Sequence, residues 1–219
     1  MPARRDAPAS ATTTADEAAR APAREAILGA ARAEFAAKGL TGARVAAIAE
    51  RAGVNKQLLY YYFGSKEALY RHALEAVYVE IRALERGLDL GGLPPEEAMA
   101  ALVGFSFDYL SRHPDFIGML NHENAHGAAH VRASPAIRRT SSPLVALIRS
   151  TLARGARAGV FRRGIDPVEL YISIAGMAYF FFSNRLTLSS LFGRDLEEPR
   201  RRAAYRRHVL ALTLAGLRP

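Results

Sequence analysis

The sequence predicts an all-α protein made of two helical domains. Apolar residues recur at intervals of three and four along most of the chain, whereas the alternating pattern of half-buried strands is lacking. Glycine and proline fall where such helices would end or begin. Half of the 219 residues are hydrophobic, so the chain can bury a substantial core.

Residues 1–22 are predicted to form a flexible basic arm. They contain no Ile, Leu, Val or Phe, so they cannot bury enough apolar surface to offset the entropy of ordering. Arg4 and Arg5 are not followed by the apolar segment of a signal peptide. The arm therefore gives no indication of export.

Three helices are predicted to follow the arm. A first helix is expected over 24–38, with Ile27, Ala31 and Phe35 on one face and Gly39 as its stop. A second helix of about two turns is indicated by a run of residues with helical spacing, namely Val45, Ile48, Ala49 and Ala52. Gly53 then allows a sharp turn.

Asn55 suits the N-cap of a third short helix, which would end at Gly64. The residues expected to point inward from it are Leu59, Tyr62 and Phe63. Ser65 is a candidate cap for a longer helix over 66–86. Its predicted apolar stripe consists of Leu74, Val77, Ile81, Leu84 and Leu88.

The rest of the chain is predicted to form further helices, at about 95–112, 115–126, 134–139, 142–158, 166–190 and 198–217. Five of these starts are marked by proline, at Pro114, Pro135, Pro143, Pro167 and Pro199. The segment 170–183 is apolar but shorter than the roughly 20 residues that a membrane span needs. Because helix 166–190 is apolar almost all round, it and the last helix are the expected dimer face.

The segment 45–69 has the construction of a helix-turn-helix, since two short helices flank an Ala-Gly-Val turn and a third element follows. Asn55, Lys56 and Gln57 occupy the leading end of the second of these helices, from which side chains can reach base edges. The hydroxyl groups of Tyr60 and Tyr61 suit phosphate oxygens, and Lys66 adds a charge at the next helix. We therefore expect this segment to bind double-stranded DNA.

The plainer interpretation is that the three successive tyrosines only pack in the core. Successive helical residues are about 100° apart, so Tyr60, Tyr61 and Tyr62 cannot all face one narrow core. At least one of their hydroxyl groups must point outward.

The segment 24–70 resembles the tetracycline-repressor (TetR) family of bacterial regulators. The resemblance lies in the first helix with Gly39, in Ile48-Ala49 and Ala52-Gly53-Val54, and in the run from Leu59 to Phe63 followed by Ser65 to Leu69. It implies a DNA-binding domain at 23–70 and a ligand-binding and dimerisation domain at 71–219. By position, the resemblance implies DNA contacts at Thr41, Arg44, Asn55, Lys56, Gln57, Tyr60, Tyr61 and Lys66.

Two positions depart from the family pattern. Many members have Thr where Val45 stands and a small residue where Gln57 stands. The operator sequence is therefore not carried over. The later part of the chain is similar to a subgroup that includes regulators of pyrimidine and other nitrogen-heterocycle catabolism, through Asn121-His122-Glu123, Gly159-Val160-Phe161-Arg162, Asp166-Pro167 and Ser183-Asn184-Arg185.

His122, Glu123 and His126 match the H-E-x-x-H pattern of zinc proteases, in which two histidines one helical turn apart bind the metal. A protease would need a further ligand and a cleft wall, for which the sequence gives no indication. A regulatory metal site, a polar pocket lining and structural histidines remain open. We expect no resident metal, no cofactor and no enzymatic activity.

Aromatic and methionine side chains of the second domain are expected to form mostly core, but with nearby polar groups they also describe an apolar ligand pocket. The candidate ligand-binding residues are Phe105, Tyr109, Met119, His122, Glu123, His126, Tyr179 and Asn184. The ligand itself is not indicated by the sequence.

The formal net charge of +9 favours a polyanionic partner, either nucleic acid or an acidic membrane face. Residues 1–70 carry 10 basic and 7 acidic residues, so charge alone does not locate the partner. The absence of cysteine excludes disulfides and thiol chemistry and favours a cytoplasmic setting. The sequence thus predicts a homodimeric, ligand-responsive repressor. The alternatives are a helical protein that organises DNA without sequence preference and a metal-dependent hydrolase.

Overall fold

The computed structural model describes residues 11–219, without the side chains of 11–20 and 140–142. This part of the chain forms ten α-helices and no strand, which confirms the all-α fold. The helices are α1 (Ala11–Gly42), α2 (Val45–Arg51), α3 (Lys56–Phe63), α4 (Lys66–Arg86), α5 (Pro95–Arg112), α6 (Pro114–Ala125), α7 (Ala129–Ala133), α8 (Pro135–Arg157), α9 (Pro167–Phe192) and α10 (Pro199–Leu217).

Helix α1 begins earlier than the sequence predicted, because Ala11 and the residues after it are already helical. This stretch is rich in alanine, the residue with the highest helix propensity, so helix formation there needs no apolar face. Residues 1–10 of the predicted arm lie outside the described residues. Gly39 has φ 64° and ψ 179°, which interrupts the helical backbone at the predicted stop.

Helix α8 corrects a second boundary. The sequence predicted separate helices over 134–139 and 142–158, but a single helix runs through Pro143. A proline removes one backbone hydrogen bond from a helix and does not always end it. Ser134 starts α8 as its N-cap, since its Oγ atom accepts from the Ile137 amide at 3.3 Å. The short helix α7 was not predicted.

The chain divides between Ala73 and Leu74 into an N-terminal unit and a C-terminal unit. The division falls within α4, whose predicted apolar stripe is only partly correct. Leu74, Val77 and Ile81 are buried, but Leu84 is 46% exposed. At 100° per residue Leu84 has rotated about 80° away from Leu74, whereas Glu85 lies within about 20° of it. The inward face of α4 therefore continues through Glu85 instead of Leu84.

Helix α5 is central to the C-terminal unit and contacts α6, α8, α9 and α10. The core around it includes Met99, Leu102, Ile148, Ile174 and Val209, each at most 1% exposed. None of the described helices is long and apolar enough to cross a membrane.

Two close contacts fix the end of α8 against the segment that follows it. The Phe161 ring packs on Gly155, where a Cβ atom would come within 2.0 Å of the ring. Arg162 then donates from its backbone amide to the Leu217 carbonyl at 2.8 Å and from Nε to the Gly216 carbonyl at 3.0 Å. The segment after α8 is thereby joined to the end of α10.

Candidate functional site

The N-terminal unit contains a buried carboxylate on α1. Glu34 is 4% exposed, and its Oε1 atom accepts from the Lys38 ammonium at 2.9 Å and from the Arg44 amide at 3.2 Å. The hydrogen bond from Lys38 lowers the pKa of Glu34. Glu34 therefore fixes the residue at which α2 begins, a role that the sequence analysis missed. The available signal was its position three residues after Ala31, on the inward face of α1.

A tight turn joins α2 to α3. The backbone amides of Gly53 and Val54 donate back to the carbonyls of Glu50 and Ala49, at 3.1 and 3.0 Å. Gly53 has φ 67°, in the left-handed region that favours glycine. The turn thus has the compact form that the sequence predicted.

Helix α3 is oriented by one cap and two buried side chains. The Oδ1 atom of Asn55 accepts from the Leu58 amide at 2.8 Å, which confirms Asn55 as the N-cap. Leu59 and Phe63 are buried, and Tyr62 is half-buried. Ser65 likewise caps α4 by accepting from the Ala68 amide at 3.0 Å.

The opposite face of α3 is open. Lys56 and Gln57 are exposed, Tyr60 is 45% exposed and Tyr61 is 67% exposed. The prediction that at least one tyrosine hydroxyl points outward is therefore confirmed. The face presents donors and acceptors of the kind that contact phosphates and base edges.

The remaining candidate DNA-binding residues lie near helix ends. Thr41 is exposed in the last turn of α1, and Arg44 is exposed directly before α2. Lys66 is half-buried, and its Nζ atom donates to the Thr41 carbonyl at 3.2 Å. Lys66 thus has one hydrogen-bond partner among the described residues, and an ammonium group has two further N–H groups that can donate.

The C-terminal unit contains a cavity of about 540 Å³, within the usual range for ligand sites. Helices α4, α5, α6 and α9 line it. The lining residues are Tyr78, Ile81, Arg82, Glu85, Ser106, Leu110, Phe116, Leu120, Asn124, Tyr171, Ile172, Ala175, Gly176 and Tyr179. The cavity is mostly apolar and aromatic, with a small number of polar groups, as is typical of small-molecule sites.

A buried ion pair forms the polar part of this cavity. Arg82 is 6% exposed and Glu85 is 3% exposed. Arg82 donates through one terminal nitrogen to Glu85 at 2.5 Å and through the other to the Tyr171 hydroxyl at 2.9 Å. The Arg82 guanidinium also lies over the Tyr171 ring, 5.4 Å from its centroid. Burial raises the pKa of Glu85, and it raises the pKa of Tyr78 to about 12.

Most of the candidate ligand-binding residues lie away from this cavity. Among them only Tyr179 lines it, and its hydroxyl donates to the Asn121 side chain. Tyr109 and Met119 are buried in the core, and the Tyr109 ring stacks on His113 with centroids 4.1 Å apart. Phe105 is half-buried, and Asn184 donates to the Phe180 carbonyl at 3.1 Å. Their contact with a ligand stays a prediction.

Glu123, in the H-E-x-x-H segment, acts locally as a cap. Its buried carboxylate accepts from the backbone amides of His130 and Val131, at 3.2 and 3.3 Å, and contacts the His130 ring at 2.8 Å. Helix α6 ends at Ala125, so His126 lies beyond it, and its ring contacts the His122 carbonyl at 2.7 Å. No cluster of three or more potential metal ligands occurs among the described residues. The segment thus connects α6 to α7.

Helix α9 buries one face and exposes another apolar one. Leu170, Ile174, Ala178, Phe181 and Phe182 are buried. Large apolar side chains are also exposed on this helix, namely Ile172, Phe180, Leu186, Leu191 and Phe192, each at 57% or more. An apolar surface of this kind is typical of a protein–protein interface.

Comparison with known proteins links both units to one family. Residues 27–73 match the model of the bacterial regulatory proteins of the tetR family, and residues 95–212 match a tetracycline-repressor-like C-terminal domain. The chain is 39% identical over 195 residues to the transcriptional repressor NicS of Pseudomonas putida, covering 89% of this chain and 92% of that protein.

Solved structures show the same fold. The TetR transcriptional regulator SCO0520 of Streptomyces coelicolor is 29% identical, with a TM-score of 0.54 over 90% of this chain and 98% of that one. The regulator FadR of Bacillus subtilis, solved with stearoyl-CoA, is 18% identical, with a TM-score of 0.67 over 88% of this chain and 98% of that one. The chain therefore belongs to the tetracycline-repressor (TetR) family of bacterial regulatory proteins.

Proposed function

We propose that the chain is a cytoplasmic, non-enzymatic repressor that binds a pseudo-palindromic operator as a homodimer and is released by a small molecule. This proposal depends mainly on the two faces of α3. Leu59 and Phe63 are buried and fix the helix. The side chains on the other face are exposed and can contact DNA, namely Lys56, Gln57, Tyr60 and Tyr61. A helix held in this way can present its leading end to the major groove. The relative NicS, a transcriptional repressor, supports repression over activation.

The exposed apolar side chains of α9 support dimerisation. A two-fold dimer would cover them and place two α3 helices about 34 Å apart, one DNA turn. Such a dimer reads two half-sites of opposite orientation. Operator symmetry would thus follow from protein symmetry.

The cavity at Arg82 supports control by a small molecule. The ligand would favour a spacing of the two α3 helices that does not fit the operator. Coupling of this kind is reciprocal, so operator DNA must weaken the ligand by the same factor. The regulator FadR of Bacillus subtilis, which has the same fold and was solved with stearoyl-CoA, supports a ligand site in this fold.

The test is a gel shift with the promoter region beside the gene for this protein, against random DNA of equal length. We expect operator binding by the parent and loss of it in Lys56→Ala and Tyr61→Ala. Both residues are exposed, so both variants should fold. Arg207→Ala, which removes an exposed charge from α10, is the matched control and should bind as the parent does.

Two results would contradict the proposal. If Lys56→Ala and Tyr61→Ala bind as well as the parent, α3 is not the recognition helix. If promoter and random DNA bind equally and Arg207→Ala weakens both, the protein binds DNA through general charge.

A further inference from the structure

Arg82, which lines the cavity, has a buried donor that is not used. Its two terminal nitrogens are bound by Glu85 and Tyr171, but its buried Nε atom has no hydrogen-bond partner among the described residues. A buried donor without a partner costs free energy, which a ligand that supplies an acceptor would recover. A ligand of this cavity would therefore be expected to supply an acceptor near Arg82.

Further donors lie beside it. The Tyr171 hydroxyl accepts from Arg82 and keeps its own proton for donation. Tyr78 lines the same cavity, and its pKa of about 12 keeps its hydroxyl protonated. By contrast, the Ser106 hydroxyl donates to the Leu102 carbonyl at 2.9 Å and is already used. The available groups around Arg82 thus favour an acceptor, and a guanidinium favours an anionic one.

The rest of the lining favours a flat ring. The side chains of Tyr78, Phe116, Tyr171 and Tyr179 supply aromatic faces and edges. Aromatic ligands gain from stacked or edge-to-face contacts with such rings, in addition to the burial of apolar area.

We propose that the effector is an aromatic carboxylate whose carboxylate group displaces the side chains that cover Nε of Arg82 and binds this nitrogen and the Tyr171 hydroxyl, while its ring packs among the cavity tyrosines. This inference rests on the proposed function, because it takes the cavity as the effector site.

Glu85 can lose its own negative charge when a ligand carboxylate adds one. Burial raises its pKa, whereas the Arg82 and Arg86 charges oppose that rise. When a ligand carboxylate takes a share of the Arg82 charge, Glu85 loses part of what keeps it ionised. It can then bind a proton, so the site need not hold two unpaired carboxylates.

The first experiment compares matched probes on the full-length protein by calorimetry. The carboxylates are benzoate, 2-naphthoate and biphenyl-4-carboxylate, and each is paired with its neutral amide and its aminomethyl analogue. We expect at least one carboxylate to bind about tenfold or more tighter than its amide, with the amine weakest. If no carboxylate binds, or if the amides bind as well, the proposal is wrong.

The second experiment uses variants with a matched control. Arg82→Lys keeps the positive charge but removes the Nε donor, and it should weaken the best carboxylate about tenfold or more. Arg154 is the control, because its Nε is also buried without a partner but it does not line the cavity. Arg154→Lys should change the affinity less than twofold. If Arg82→Lys does not fold, Tyr171→Phe should weaken the carboxylate and leave the amine unchanged, and equal loss of both would contradict the proposal.

A third variant separates this proposal from the proposed function. Ala175→Trp would fill the cavity and should abolish the binding of the probes. It should also abolish the release of operator DNA by a cell extract that releases this DNA from the parent protein. If release persists in Ala175→Trp, the effector binds elsewhere and the proposed function fails at this site. If Ala175→Trp blocks release but Arg82→Lys leaves carboxylate binding unchanged, only the ligand class is wrong.

Discussion

The backbone amide of Arg44 donates to the Oε1 atom of Glu34, 3.2 Å away, so a buried carboxylate on α1 fixes the start of α2. The same atom accepts from Lys38, and the two bonds together favour the ionised carboxylate. The geometry of the helix-turn-helix therefore depends on the charge of a residue that cannot contact DNA.

Neutralising Glu34 should lower stability in a pH-dependent way. The pKa of Glu34 is lower in the folded protein than its ordinary value of 4.5, so its contribution is present above that value and is lost as pH falls through the folded pKa. We expect Glu34→Gln to lower the free energy of unfolding by about 1–3 kcal/mol at pH 7. Urea unfolding followed by circular dichroism from pH 3 to 7 measures this, and the difference should shrink below about pH 4.5. The exposed Glu25→Gln on the same helix is the control.

Two substitutions on α3 should separate positioning from base readout. Tyr61→Phe removes only a hydroxyl group and should weaken all operator variants alike, by about 0.5–1.5 kcal/mol. Gln57→Ala should change the ranking of operator variants, by about 1–3 kcal/mol at the base that it reads. Fluorescence anisotropy with a panel of single-base operator variants distinguishes the two. A ranking that is unchanged in Gln57→Ala would exclude Gln57 from base readout.

Gly155→Ala should destabilise the C-terminal unit. Its new Cβ atom would lie 2.0 Å from the Phe161 ring, so the core would be overpacked at a cost of about 1–3 kcal/mol. Thermal unfolding measures the loss. Gly216→Ala, at a helical glycine whose Cβ position has no described atom within 4 Å apart from its chain neighbours and its own helix backbone, should be neutral or stabilising. Equal behaviour of the two variants would contradict the packing argument.

Removing one partner of the Arg82–Glu85 pair should lower the free energy of unfolding strongly, whereas removing both partners should lower it much less. Arg82→Met leaves Glu85 buried without its partner, which we expect to cost about 3–5 kcal/mol. The double variant Arg82→Met/Glu85→Leu removes both charges and should recover most of that loss. Urea unfolding of the single and double variants completes the cycle. If the losses simply add, the pair is not coupled.

Charges on the apolar face of α9 should produce a monomer. Ile172→Glu and Phe180→Glu replace side chains that are 61% and 57% exposed in one chain. A dimer would have to bury each new charge without a partner, which is strongly unfavourable. Light scattering coupled to size-exclusion chromatography measures the mass. Leu84→Glu, at a 46% exposed position of α4, is the control and should leave the mass unchanged.

The sequence predicted best those features that depend on local patterns. The caps at Asn55 and Ser65, the turn at Gly53 and the outward tyrosines each follow from residue type and from the helical period. The same period misled where a polar residue took the inward position. Leu84 is more apolar than Glu85, yet the rotation of α4 places Glu85 inside.

The cavity could not be predicted, because its residues come from four helices that are distant in the sequence. Arg82 and Tyr171 are 89 positions apart, and neither belongs to a recognisable motif. Aromatic composition suggested a pocket, but composition does not distinguish a cavity wall such as Tyr171 from a core residue such as Tyr109. Pro143 shows a related limit, since only the packing around α8 decides whether a proline ends a helix.

The N-cap at Asn55 has a consequence for the operator sequence that we propose this protein binds. Because the Leu58 amide already occupies one lone pair of its Oδ1 atom and fixes its direction, the side chain offers DNA mainly its NH₂ group. An adenine that needs a donor and an acceptor from one amide would have to be met by Gln57, whose exposed side chain is not a cap. Asn55 would instead tolerate guanine, adenine or thymine, each of which displays an acceptor in the major groove. Variation among natural binding sites should therefore be wider at the base beside Asn55 than at the base beside Gln57.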